Sequence, residues 1–169
     1  MDFYLDQRYY AEMMYDSGVV SVQLLVTTLA ITPLLLIFRN SRKMVSILRW
    51  FQRRRRYLGV ACFGYGLIHL MIYLRQNSEF ADVLWHMEDP KIAIGWIALL
   101  ILLLLAITSN DKSVNTLGPR WKKLHRWVYF STVLIFLHWA LFGFFLNEML
   151  IWLVPITILQ AWRLGLRHR

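Results

Sequence analysis

Apolar residues in this chain fall into long uninterrupted blocks, with the polar residues gathered between them. Residues 19–38 and 92–108 contain no charged side chain, and residues 57–74 and 127–146 each contain a single histidine. A helix crosses the hydrocarbon core of a bilayer with about 20 apolar residues, within a range of about 17–25. Each of these four blocks therefore predicts a transmembrane helix. A fifth block, 149–162, reaches that length by taking in Leu164 and Leu166, with the Arg163 guanidinium snorkelling to the interface. Pro155 lies inside it and predicts a kink. The expected fold class is all-α: an integral membrane bundle of about five transmembrane helices. Its expected organisation is an outer polar segment at 1–18, one bundle over 19–166 and a basic inner tail at 167–169.

Composition agrees. The chain has 169 residues, of which 58% are hydrophobic and only 17% charged, whereas soluble domains carry about 45–50% apolar and about 25% charged residues. This excess sets the soluble enzyme classes aside. The first block is not expected to be a cleaved signal peptide, because residues 1–18 hold Asp2, Asp6, Glu12 and Asp16 against one Arg8 and so lack a basic n-region. The single cysteine, Cys62, excludes an internal disulfide and any cysteine-built metal cluster within the chain.

Charge gives direction. There are 19 Lys and Arg against 10 Asp and Glu, a formal net charge of +9. With the N-terminus outside and the C-terminus inside, sixteen of the basic residues fall in inner segments, in 39–56, 112–126 and 163–169, and nine of the ten acidic residues fall outside. The positive-inside rule reads Lys and Arg in short loops, so the positive charge is first a topology signal and second a contact with anionic lipid. Long apolar runs separate the basic groups, which excludes a nucleic-acid footprint. The loops 39–56 and 75–90 are too short for a nucleotide-binding domain, and no Gly-rich dinucleotide or P-loop motif is present.

An ionisable side chain inside a span is costly and is by default a functional candidate. His69 lies 12 residues into its block and His138 lies 11 into its own. At about 1.5 Å per residue the two imidazoles sit roughly 18 Å and 17 Å from the inner edge, level with each other on helices that run the same way. Facing imidazoles in a helix bundle suit a haem, which takes one axial nitrogen from each side. Gly59, Cys62, Gly66 and Tyr73 share the face of His69, and three of the four are small enough to leave room for a macrocycle. The plainer alternative stays open: polar residues in spans often only tie helices together, and small residues mark helix packing.

The remaining histidines divide. His125 stands at the inner interface beside Trp121, Lys122, Lys123 and Arg126. Thirteen residues separate it from His138, which in a straight helix turns it about 140° off the same face. A second haem there would need a bend, and a partner near the positions of Arg55 and Arg56, where no histidine stands. The spacing thus favours one haem over two, and leaves His125, with Arg56 and Lys123, either as a site for a second haem, a quinone or a flavin or as a plain anchor of the helix in the headgroups. His168 on the inner tail would be the partner of His125 in such a second haem, but solvation accounts for it better. His86 reads as a surface residue of the outer loop. Arg75, six residues beyond His69, fits a partner for a haem propionate and fits an ordinary interface anchor equally well. No catalytic triad, carboxylate pair or zinc pattern is visible.

Several segments resemble a known family. Leu29-Ala30-Ile31-Thr32-Pro33-Leu34, Arg55-Arg56-Tyr57-Leu58-Gly59 and Leu67-Ile68-His69-Leu70 are similar to the ferric-reductase-like transmembrane domain, in particular its MsrQ type, the haem-binding subunit of a periplasmic methionine sulfoxide reductase system. The likeness continues through Lys91-Ile92-Ala93-Ile94-Gly95, Ala106-Ile107-Thr108-Ser109, the run Leu117 to Arg126 and His138-Trp139. It implies a b-type cytochrome of the bacterial inner membrane, with axial histidines falling on His69 and His138 and the family's third histidine on His125. It also implies electrons drawn from quinol or a cytosolic flavin reductase, an association with flavin mononucleotide (FMN), and delivery to a periplasmic molybdopterin enzyme that repairs oxidised methionine. Relatives of this type usually carry a further N-terminal span, where residues 1–18 here are polar and acidic. Two other classes remain: a stand-alone transmembrane ferric or oxygen reductase, and a non-catalytic membrane subunit or assembly factor.

Overall fold

A computed structural model describes residues 2–77, 86, 88–143 and 145–167. His168 lies outside the described residues, as do Trp85 and Met87 beside His86. Among the described residues seven helices run in chain order: α1 (Asp2–Ile37), α2 (Arg42–Gln76), α3 (Pro90–Ile107), α4 (Asp111–Leu117), α5 (Pro119–Leu124), α6 (Trp127–Phe142) and α7 (Leu146–Arg167). No strand occurs among the described residues. Four of them, α1, α2, α3 and α7, are long and apolar enough to cross a membrane.

The helix limits follow from local chemistry. Ser41 caps α2 by accepting from the Met44 amide. Asp89 caps α3 by accepting from the Lys91 amide, with Pro90 at the first helical position, where its missing N–H costs nothing. Asn110 caps α4. Gly118, at φ +50°, turns the chain from α4 into α5. Gly143, at φ +70°, ends α6 in the left-handed conformation that glycine adopts without a Cβ penalty.

These signals correct three expectations. The loop expected at 39–56 is helical from Arg42 onward, so α2 has 35 residues and runs for about 52 Å. The block 127–146 does not form a helix of that length, because Gly143 stops α6 after 16 residues. The last block gains what the fourth loses: α7 begins at Leu146, has 22 residues, and continues through Pro155. Residues 2–18 share a helix with the first apolar block, since α1 runs without a break from Asp2 through Pro33 to Ile37.

The helices pack as a ring. α1 lies along α2, α2 along α3, α3 along α6, α6 along α7, and α7 returns to α1. The core is centred on α1 (Val22, Leu25, Val26, Leu29), with Cys62, Leu102, Phe136, Met149 and Ile156 packed around it. Lipid tails are as apolar as leucine, so close packing and buried hydrogen bonds join such helices. Ser21 Oγ donates to the Cys62 carbonyl at 2.9 Å, Ser131 Oγ to the Ala98 carbonyl at 3.1 Å, and the Gln160 amide to the Leu29 carbonyl at 2.9 Å. The outward faces carry Val60, Leu67, Met71, Leu100, Leu104, Val133, Leu137, Ile151 and Ile158, all exposed. Exposure of this kind fits hydrocarbon rather than water.

Candidate functional site

His69 projects from α2 and His138 from α6, and these two helices are separated by α3 on one side of the ring and by α1 and α7 on the other. The structure brings the side chains together, with ring centroids 6.4 Å apart and planes crossed at 79°. His69 Nδ1 is 2.7 Å from the Met14 carbonyl oxygen on α1. His138 Nδ1 is 2.7 Å from the Lys91 carbonyl oxygen on α3. A carbonyl only accepts, so each Nδ1 carries the proton and donates. Each Nε2 is then left with a lone pair, and neither has a hydrogen-bond partner among the described residues.

This is the arrangement of a metal-ligating histidine, whose second ring nitrogen donates to a carbonyl and thereby fixes tautomer and orientation. Imidazole–metal bonds of about 2 Å would separate the two ring centres by roughly 6–6.5 Å, which the observed spacing matches. No group of three or more His, Cys, Asp or Glu able to hold a metal occurs among the described residues. Two imidazoles alone do not complete a tetrahedral zinc site. They do complete an iron site in which a macrocycle supplies the other nitrogens.

Glycines flank both rings. A Cβ built on Gly18 of α1 would lie 3.1 Å from His69 Nδ1, and one on Gly95 of α3 would lie 2.7 Å from His138 Cε1. Of the small residues expected to leave room on the His69 face, Cys62 is 1% exposed and bonded through Ser21, and a Cβ on Gly66 would meet Leu99 and Ser21. Both serve helix packing, while Gly59 faces open space. Tyr73, on the same face, bonds His86 Nδ1 at 3.1 Å. His86 is therefore half-buried and tied to the bundle, contrary to its expected place on the surface. Arg75 is exposed at the same end of α2.

His125 lies at the other end. It caps α5 at a break before α6 begins, so the straight helix assumed between His125 and His138 does not exist. Its ring stacks on Trp121 at 3.9 Å and its Nε2 is 3.1 Å from Thr108 Oγ1, while the Trp121 indole donates to the Thr108 carbonyl. Partial burial and the nearby Arg55 charge hold its pKa below the ordinary histidine value. Arg55, rather than the expected Arg56, is the cation facing His125, and it bonds Thr32. Arg56 pairs with Asp111 at 2.6 Å. Lys123 lines an open groove of about 480 Å³ with Gly118, Pro119, Lys122 and Arg126. On α7, Arg163 donates to the Tyr129 hydroxyl at 2.9 Å.

Sequence reasoning missed Met14, Gly18, Lys91 and Gly95. The detectable signal was a glycine four residues after the carbonyl in both cases, but nothing in the sequence says which of eight glycines will meet a histidine.

Comparison with known proteins agrees with the architecture. Residues 17–136 match the family described as ferric reductase like transmembrane component, a stretch that includes His69 and His125 and ends two residues before His138. Relatives named as the heme-binding subunit MsrQ of protein-methionine-sulfoxide reductase include one from Azospira oryzae, 34% identical over 90% of this chain and 64% of its own length. Another, from Rhizobium meliloti, is 35% identical over 86% of this chain and 65% of its own length. A third, from Yersinia pseudotuberculosis, is 30% identical over 94% of this chain and 74% of its own length. The chain thus spans just under two-thirds of the first two relatives. No solved structure matches it. With its apolar helices and this match, the chain is a multi-pass protein of the bacterial inner membrane and belongs to the ferric reductase-like transmembrane family, with MsrQ haem-binding subunits among its relatives.

Proposed function

We propose that the chain is a haem-binding electron-transfer subunit, with His69 and His138 as the axial ligands of one b-type haem. The observation that carries this reading is the pair of imidazoles 6.4 Å apart, each with Nδ1 committed to a backbone carbonyl of a neighbouring helix. Bound between His69 and His138, a haem would supply reversible one-electron chemistry, and the two imidazoles would leave its iron no position for a substrate. The protein's part is positional: Met14 and Lys91 orient the rings, and α1 and α3 brace them. Arg75 is the proposed partner of a propionate. The names of the relatives support the reading.

The finer steps rest on the same proposal. With the N-terminus outside, the histidine pair lies nearer the periplasm, and the Arg55, Arg56, Lys123 and Arg163 end lies at the cytoplasmic side. Electrons from quinol or a cytosolic flavin reductase then need a carrier in the inner half, and His125 with Arg55 is its proposed seat, for quinone, FMN or a second haem. The acceptor is a periplasmic methionine sulfoxide reductase of the molybdopterin class.

A purely structural role for the histidines draws on one observation, that both already bond across helices. A reduced-minus-oxidised spectrum of the purified protein separates the two. The proposal expects a Soret band that is lost in His69→Ala and His138→Ala. Colourless protein from haem-replete cells, or full haem content in both variants, overturns it. Turnover of ferric iron or oxygen with no partner present would replace the relay with a stand-alone reductase.

A further inference from the structure

The two histidines are held by the same local device, built twice. On α1 the carbonyl of Met14 receives His69, and Gly18 follows four residues later. On α3 the carbonyl of Lys91 receives His138, and Gly95 follows four residues later. In an α-helix the carbonyl of residue i already accepts the amide of residue i+4. Its second lone pair is available, but the side chain at i+4 projects back toward the preceding turn, over the space an incoming donor must use. Glycine removes that obstruction. At Gly95 the gap is smaller than any side chain allows, since a Cβ would stand 2.7 Å from Cε1 and 2.8 Å from Nδ1 of His138. At Gly18 the corresponding approach to His69 Nδ1 is 3.1 Å.

We propose that Gly18 and Gly95 are positioning residues, each opening a helical carbonyl to one histidine Nδ1–H, and that together they fix the two imidazole planes crossed at 79°. A ring bonded through one nitrogen alone would spin about its Cβ–Cγ bond. Contact with the bare glycine backbone on one side and the hydrogen bond at its edge leave it one orientation. Since 79° is close to the maximum crossing of 90°, a substantial rotation of either ring makes the planes more nearly parallel. This rests on the axial-ligand reading above.

Ligand-plane angle has its own signature. In a ferric haem with two imidazole ligands, crossed planes bring two iron d orbitals close in energy. The paramagnetic resonance signal then becomes strongly anisotropic, with its lowest-field line well below the field at which parallel imidazoles give theirs. The experiment is low-temperature resonance of the ferric wild-type protein, Gly95→Ala, Gly18→Ala and the control Gly64→Ala, which faces open space on α2. Haem content and midpoint potential are measured alongside.

The expected wild-type signal is the anisotropic one. Gly95→Ala moves the line toward the parallel position and shifts the potential, Gly18→Ala does so by less, and Gly64→Ala leaves both unchanged. A wild-type signal of the parallel type overturns the inference even if no variant accumulates. So does an unmoved line in a haem-loaded Gly95→Ala protein, or an equal shift in Gly64→Ala. Wild-type protein without haem would sink the axial-ligand reading itself, which is a different failure.

Discussion

The two ends of the bundle hold a histidine by opposite means. At one end, His69 and His138 sit within unbroken helices, and their partners are main-chain carbonyls of other helices. At the other, His125 sits at a break between α5 and α6, and its partners, Thr108 and Trp121, are side chains. A carbonyl in a helix cannot rotate away, so the first pair is held in one orientation, as the proposed ligation requires. The Thr108 hydroxyl and the Trp121 indole are themselves tied to carbonyls at the end of α3, so His125 is held by side chains at a helix terminus rather than by main chain inside the bundle.

The sharpest way to break that contrast is to remove each imidazole in turn. His69→Ala or His138→Ala should abolish the haem spectrum, because one axial nitrogen does not hold the group between α2 and α6. His125→Ala should keep that spectrum. Absorbance of the three variants at matched protein concentration checks this, and a full loss in His125→Ala would make the two ends one site.

The next effect acts through packing on one side only. Ser131 is fully buried, bonds the Ala98 carbonyl, and lies two turns before His138 on the same face of α6. Ser131→Leu inserts volume between α3 and α6 where none is free, at a cost of about 1–3 kcal/mol. It should lower the melting temperature in detergent and weaken haem retention at His138. A variant as stable and as well loaded as wild type would show that α3 does not brace that ring.

A smaller change tests the other end. Thr108→Val keeps the shape and deletes the hydroxyl 3.1 Å from His125 Nε2. The expected loss is about 1 kcal/mol, read by thermal unfolding, with the spectrum of the distant histidine pair unaltered.

Much of this was legible in the sequence, for physical reasons that also mark where it stopped. A run of 17 or more apolar residues has few fates, so the spans at 19–38, 57–74 and 92–108 were secure. Boundaries depended on single residues: Gly143 ends α6 early because left-handed backbone is open to it, and the basic block 42–56 extends α2 because arginine is a good helix former. His69 and His138 stood out because ionisable groups are rare in spans. Their carbonyl partners did not, since every residue has a carbonyl and only tertiary packing selects Met14 and Lys91. Arg55 rather than Arg56 faces His125 because one residue turns a helix by about 100°, finer than loop counting resolves. Residues 1–18, read as a separate polar segment, hold Met14 and Gly18 against His69 because a helix does not stop where its hydropathy does.

The smallest expected effect is the response to pH, and it belongs to one end only. Burial first, and the Arg55 charge second, hold the pKa of His125 below the ordinary value of about 6.5. The unfolded chain therefore takes up this proton before the folded chain does. Folded stability falls as the pH drops from about 6.5 toward the lowered pKa, and below that value the loss stops growing because both states are protonated. Above about 6.5 the group contributes no pH dependence. His125→Gln, which keeps a polar partner for Thr108 but does not titrate, should flatten that part of the profile. Thermal unfolding of the two proteins across mildly acidic pH makes the comparison. Identical slopes would mean that His125 is as solvated in the folded chain as in the unfolded one, and that the Trp121 stack does not bury it.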